Sequence, residues 1–529
     1  SMPPGRYQVK LMRDGALEKS LEVETLIGQG VEASFVTEAS VQTVTVAAKV
    51  NRIDVSNTNN GVVLTARELA KLPISQNVQA VIALAPGTVR NVSGYYGNVS
   101  SFGGASVSEN AYYINGFPVT NILTQVGASE LPFGAISNAQ ILSGGYSSEF
   151  GRSTGGVVNI TTKSGANNWE AGGKVSIAPA SLAARQLNTY FPKTGDNPKT
   201  DGKLQFYAQD NQSTSKTAGL YVGGPLIKNK LFMFAALEQT RSDSEGVAAS
   251  SDTAFNASGW SVNQARTTRG LVKLDYNLTD DHHFEYTHIL DESRNTSSSY
   301  GFSYETFKHD NNKRNGSTIW NAGNTRGGSG GSSPGSTDDI FKYTGYLSDD
   351  LTVTALYGKS HTTPKVIPFG YNPSISSVGS SVTSRVPGVT YPSSNPQPFG
   401  DQVRPDSGDK QETLRLDLEY KVGSHSLRGG IDYNKASSLV GATRPGGRSW
   451  SYLYHNNPST WKPSGANETL TQGGGYGTQG FYVSEGTYFK SGAPSKLTII
   501  TPLLSAGLKV ICVIVSLDFI RGAEIIMYV

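Results

Sequence analysis

LPFGAISNAQILSGGYSSEFGRSTGGVVNITTKS, Leu131 to Ser164, sets two apolar, strand-like segments around a glycine-rich cluster. Ile136 to Leu142 alternates loosely, and Gly144 and Gly145 permit a backbone with positive φ. Gly155 and Gly156 then lead into the β-rich run Val157, Val158, Asn159, Ile160. On the residues alone this is a compact β-turn-β unit of a kind that ordinary soluble domains rarely carry. Three further blocks precede it: VVLTARELAKLPIS (Val62 to Ser75), NVQAVIALAPGTV (Asn77 to Val89) and ENAYYINGFPVTN (Glu109 to Asn121).

The composition agrees with turn-rich β structure. The 529 residues hold 60 Gly, against a typical share of about 7%, with 37% hydrophobic and 16% charged residues and 26 Tyr. A formal net charge of +3 is nearly balanced on this length and gives no general electrostatic reason to bind nucleic acid. Cys512 is the single cysteine, so an intramolecular disulfide and a cysteine-based structural zinc site are excluded. The opening SMPPGRYQVK lacks the basic and apolar regions of a secretory signal, although the rest reads as exported, so a truncated N-terminus is expected.

Beyond Gly165 short turns and long polar loops alternate. The turns are Pro225 to Leu231, Asn277 to Phe284, Tyr346 to Thr352 and Tyr420 to Leu427. The loops are Arg241 to Thr268, Asn295 to Asp339, Thr362 to Lys410 and Ala436 to Gln472, rich in Ser, Gly, Asn, Pro and Thr. An outer-membrane barrel has short periplasmic turns and long extracellular loops, whereas a soluble sandwich has no reason to keep its long loops at one end. The strands agree. Leu414, Leu416, Leu418 and Tyr420 oppose Arg415, Asp417 and Glu419, and Gly270, Val272, Leu274, Tyr276 and Leu278 oppose Arg269, Lys273, Asp275 and Asn277, with Leu271 the exception on the polar face. Past Val483 the character changes. SKLTIITPLLSAGLKVICVIVSLDFIRGAEIIMYV is continuously apolar; a frameshift near Ser484 would produce such a tail, and a transmembrane helix from about Ile499 to Ile520 is the competing reading.

The four blocks, in this order, resemble the plug of TonB-dependent receptors, and Gly144 to Lys163 resembles its last part. SFGGASVSENAYYINGFPVTN is especially similar to the Oar-type branch, in which asparagine, here Asn115 before Gly116, replaces the commoner aspartate of siderophore receptors. The resemblance implies a mainly β fold: a small α/β plug domain (51–165), then part of a transmembrane antiparallel β-barrel (166–483), preceded by the end of a carboxypeptidase-regulatory-like β-sandwich (1–40). A closed receptor barrel of about 22 strands needs more chain than 166–483, which supplies roughly ten to fourteen, so the barrel is expected to be incomplete and 484–529 to stand apart. The segment 41–50 falls where these receptors carry their TonB box, with Thr43, Val44, Thr45, Val46 and Ala47 as the candidate. An exposed strand suits β-augmentation of a partner, and another sandwich strand would read alike.

What the resemblance implies for function is TonB-dependent active transport of an unidentified substrate across the bacterial outer membrane. Its partners would be TonB with its inner-membrane energising complex, an extracellular ligand and outer-membrane lipid; it implies no enzyme activity, cofactor or nucleic-acid partner. The alternative is an outer-membrane adhesion or surface-organisation protein of the Oar type. Tyr95, Tyr96, Phe102, Tyr112 and Tyr113, with Phe117, are candidates to meet a ligand at the plug apices, or else they fill space between plug and wall.

Other chemistry finds no anchor. GYGTQG (Gly475 to Gly480) satisfies GxGxxG but follows a glycine run and precedes a β segment, so dinucleotide binding is rejected. His282, His283 and His288 lack helical metal spacing. The pairs Asp280 and Asp281, and Asp349 and Asp350, sit in tight turns, where Asp serves the backbone. No GxSxG context supports a hydrolase, and a glycan-acting enzyme would have only Asp417 and Glu419 on one face.

Overall fold

The computed structural model describes residues 60–440 except 73, 75–76, 91–98, 123–124, 147–149, 152, 248–258, 323–335, 370, 373, 375–376, 379–401, 404–407 and 424. Outside that span it describes strands at Gly5–Arg13, Ala16–Thr25, Ala442–Thr443, Arg448–His455, Gly480–Thr487, Ser495–Pro502, Cys512–Leu517 and Ala523–Tyr528. The first two form an antiparallel pair, in keeping with the strands read near the start of the chain.

The plug is a small sheet of β1 (Asn60–Thr65), β2 (Ala111–Ile114), β3 (Phe117–Pro118), β4 (Ile136–Gly144) and β5 (Val157–Thr162), in the spatial order β1-β4-β5-β2-β3. Only β2 and β5 run parallel. Two short helices follow β1, α1 (Ala66–Lys71) and α2 (Val78–Ile82). The start of α1 is fixed by a capping box, the Thr65 N–H donating to Glu68 Oε2 at 2.9 Å and the Glu68 N–H to Thr65 Oγ1 at 3.3 Å. For α2 the Ala80 N–H donates to Asn77 Oδ1 at 2.8 Å. Leu69, Val81 and Ile82 from these helices pack on Ile114, Ile141, Val158 and Ile160 of the sheet. Each such side chain contributes about 1.5–3 kcal/mol on leaving water.

The glycines of the opening stretch act by close approach more than by conformation. Gly145 has φ +66°, but Gly144 does not take a positive φ. A Cβ on Gly155 would press on Asn110 and the Glu109 backbone, and one on Gly156 would run into the Phe102 ring.

The wall follows as β6 (Glu170–Ala178), β7 (Gln212–Ile227), β8 (Leu231–Val247), β9 (Gly259–Thr279), β10 (His282–Ser303), β11 (Asn315–Ala322), β12 (Thr337–Ser348), β13 (Leu351–Pro368), β14 (Gly408–Val422) and β15 (His425–Val440). Neighbours pair antiparallel in one large sheet; β10 and β13 each pair with both β11 and β12, so β11 extends the wall at the long-loop end. All four predicted tight turns fall at one end. All four predicted loops are shorter than the sequence suggested: β13 continues to Pro368, β14 begins at Gly408, and β15 runs on to Val440. Arg241 to Val247 and Gly259 to Thr268 continue β8 and β9 in register, and Asn295 to Ser303 continues β10. Ser, Thr, Asn and charged residues interrupt the apolar period through most of these extensions, and Val247, Trp260, Val262, Tyr300 and Phe302 pack together only at their ends, yet backbone pairing extends the hairpins.

One face of the wall is apolar and exposed, with Leu414, Leu416, Leu418, Tyr420, Leu237 and Val272 on it. The other meets the plug, and Phe234, Ala236, Leu271, Ile289, Ile340 and Leu356 share a buried cluster with the plug core. Leu271, the exception on the polar face of its strand, is 1% exposed because the plug covers it.

The tail contains strands where a transmembrane helix was the competing expectation. Ser495–Pro502 and Cys512–Leu517 pair with β15, and Ala523–Tyr528 pairs with Cys512–Leu517. The β-branched runs Thr498 to Thr501 and Val513 to Val515 favour strands, and Pro502 interrupts a helix. No helix among the described residues is long and apolar enough to cross a membrane. The wall sheet runs from β6 at one edge to Ala523–Tyr528 at the other without closing among the described residues.

Gly156→Ala should lower plug stability by about 1–3 kcal/mol through overpacking against Phe102, read as a lower thermal midpoint. An unchanged midpoint would show that this contact is loose.

Candidate functional site at the plug and wall interface

Asn115 and Gly116 form the two-residue turn between β2 and β3. Both take left-handed φ, 51° and 86°, as an Asn-Gly hairpin turn requires. The Asn115 side chain then ties three elements together. Its Oδ1 accepts from the Thr162 N–H at 3.0 Å, and its Nδ2 donates to Thr162 Oγ1 at 2.9 Å and to Thr287 Oγ1 on β10 at 3.2 Å. An aspartate could keep the turn but would lose both donations. The hairpin carries Phe117, fully buried, onto the wall at Gly358, where a Cβ would collide with its ring.

A buried ionic cluster lies on the same interface. Arg269 of β9 reaches Glu130 of the plug at 2.5 Å and, within the wall, Glu238 of β8 and Asp291 of β10 at 3.5 Å each. The four side chains are between 5% and 15% exposed. The plug backbone closes the arrangement: the Glu130 N–H donates to Asp291 Oδ2 at 3.0 Å, and the Phe133 N–H to Glu238 Oε2 at 3.2 Å. Beside it the hydroxyls of Ser129 and Ser336 are hydrogen-bonded to each other, and Ser336 also donates to Asp338. Removing one partner of such a buried pair typically costs about 3–5 kcal/mol, since it strands the other charge.

A second cluster holds the end of the plug. Lys273 of β9 donates to Ser164 Oγ at 2.9 Å and pairs with Glu285 at 2.9 Å and Asp275 at 3.3 Å; Lys342 reaches Glu285 at 3.5 Å. Lys163, one residue earlier, lies over the Tyr221 ring at 4.2 Å. Burial pulls its ammonium below the usual lysine range, partly offset by Glu170. At Gly165 the chain crosses the wall so closely that a Cβ would meet the Met233 and Gly224 backbones.

Of the residues singled out from sequence, Thr43 to Ala47, Tyr95 and Tyr96 lie outside the described residues. Phe102, Tyr112 and Tyr113 are interior to the plug, at 2%, 2% and 8% exposure, so a ligand reaches them only if the plug opens. Burial pushes the Tyr112 phenol up, with Asn110 and Gln79 pulling the other way. The hairpin histidines each have a partner: His282 Nδ1 with Tyr343 Oη at 2.8 Å, His283 Nδ1 with Asn277 Oδ1 at 2.7 Å, and His288 Nδ1 with Asp339 Oδ1 at 2.8 Å. Sequence reading did not find the Arg269 cluster. Its signal was the polar face of β9, and Glu130 stands immediately before the opening stretch.

Residues 54–158 match the family model for the TonB-dependent Receptor Plug Domain. The chain therefore carries a segment similar to the TonB-dependent receptor plug, seated against the antiparallel wall described above. It is 25% identical over 317 residues to the TonB-dependent transporter Oar of Myxococcus xanthus, covering 54% of this chain and 28% of that protein. Among solved structures it is similar to the outer membrane transporter YddB from Escherichia coli (16% identity, 74% of this chain and 50% of that one, TM-score 0.47). It is also similar to a mutant of the ferric enterobactin receptor PfeA from Pseudomonas aeruginosa (12%, 75% and 64%, TM-score 0.42). The chain thus spans just over a quarter of the curated relative and half of YddB.

Asn115→Ala and Thr287→Val should be coupled in a double-mutant cycle by about 0.5–1.5 kcal/mol, measured by denaturant-driven release of the plug. Strict additivity would mean that this bond does not hold the plug to the wall.

Proposed function

We propose that this protein carries out TonB-dependent active transport of an extracellular substrate across the outer membrane, with TonB and its inner-membrane energising complex supplying the work. The observation that carries this reading is the uneven attachment of the plug. The bonds described above that cross to the wall arise from Asn115, Ser129, Glu130, Phe133 and Ser164. The first plug strand, β1, is at the sheet edge and among the described residues pairs only with β4, and it follows the candidate TonB box in the chain. A pull applied near Thr43 to Ala47 would reach β1 before any bolted residue and peel it from the sheet, while the ionic clusters keep the remainder seated. The protein is read as a transporter without catalysis of its own, and membrane lipid would surround the apolar outer face of the wall.

Deleting Thr43 to Ala47 should leave a heat-modifiable protein in the outer membrane but abolish uptake and co-purification with TonB. Uptake that survives the deletion would remove TonB coupling from the account. Surface adhesion with no uptake in the undeleted protein would favour the adhesion role instead.

A further inference from the structure

The outer face of the wall carries a row of cations. Lys216 of β7 stands directly opposite Arg241 of β8, Arg241 opposite Arg266 of β9, and Arg266 opposite Arg294 of β10. All four are exposed. Like charges placed directly across strands repel, so four in register form an arrangement that calls for an anion. The acidic groups on this face nearby are Asp243, paired with Arg241 at 2.9 Å, Glu245 two residues further from the belt and hydrogen-bonded to Gln212, and Glu292 in the row beneath, between the cations and the apolar belt. The row of four cations itself contains no carboxylate.

The row's height is informative. Four residues nearer the tight turns, about 14 Å along the strands, the same face carries Leu220, Leu237, Gly270 and Leu290 in register. The cations thus stand just beyond the apolar belt, on the side of the long loops. Directly below Lys216 and Arg241 the outer face is hollowed into an open groove of about 480 Å³, lined by Gly173, Val175, Ala218, Leu220, Leu237 and Gln239. The missing side chain of Gly173 and the small one of Ala218 leave the hollow that Val175, Leu220 and Leu237 flank.

We propose that this face binds a phosphate-bearing lipid of the outer leaflet, with its headgroup phosphates on Lys216, Arg241, Arg266 and Arg294 and one acyl chain in the groove. Guanidinium groups hold phosphate through paired, charge-assisted hydrogen bonds, and the charge and the groove match the two ends of one amphiphile. The inference goes beyond transport but rests on the wall's place in the outer membrane.

The test uses the protein in phosphatidylcholine nanodiscs, with retention of diphosphoryl lipid A read by mass spectrometry against its dephosphorylated form. The wild-type protein should retain the phosphorylated lipid selectively. The Arg266→Gln, Arg294→Gln double variant should retain about ten-fold less, equivalent to about 1.4 kcal/mol, and Ala218→Phe should weaken retention by filling the groove. Asp243→Asn, which removes a competing carboxylate, should strengthen it. Equal retention of the two lipids, or no change in the double variant or in Ala218→Phe, would overturn the site while leaving the transport reading intact. Failure of the wild type to insert would overturn the membrane location on which both rest.

Discussion

Arg269, a guanidinium held between two separately built layers, fixes how the plug sits in this protein. An ion in a water-poor interface is tolerated only when its counter-charges and hydrogen bonds are in place. Here they come from the plug through Glu130 and from the wall through Glu238 and Asp291. Shifting the plug by one strand position would leave at least one of these charges without its partner. The backbone N–H groups of Glu130 and Phe133 add direction to the same seat.

Packing enforces the same register. Leu271, Ile289, Ile340 and Leu356 of the wall join the plug core, and the Phe117 ring occupies the space that Gly358 leaves open. Lifting the plug would expose these side chains and separate both ionic clusters at once. The seated plug is therefore a deep minimum, and opening it requires work against both the packed core and the ionic clusters. The attachments lie in the later part of the plug, whereas β1 stands at the sheet edge.

Much of this was legible in the sequence where chemistry is local. The Asn115-Gly116 turn, the glycine cluster and the alternation of Leu414 to Tyr420 each depend on neighbours a few residues away. The anomaly at Leu271 already marked the face that the plug covers, although nothing in the chain said what covered it. The Arg269 cluster was not legible, because its four members come from four elements and look like ordinary polar residues one at a time. The outer cation row was hidden for the same reason: its members are adjacent only through strand register. The long strand extensions were missed because Ser, Thr, Asn and charged residues interrupt the apolar period through most of their length, and Trp260, Val262, Tyr300 and Phe302 meet only through strand register, while the backbone ladder needs no such period.

Hydrogen exchange of the plug backbone in the Arg269→Ala variant tests the account most directly. It predicts faster exchange from Asn121 to Ile136, around Glu130 and Phe133, with α1 and α2 exchanging as in the unaltered protein. Unchanged exchange around Glu130, or loosening confined to the helices, would contradict the claim that this buried charge holds the plug in its seat.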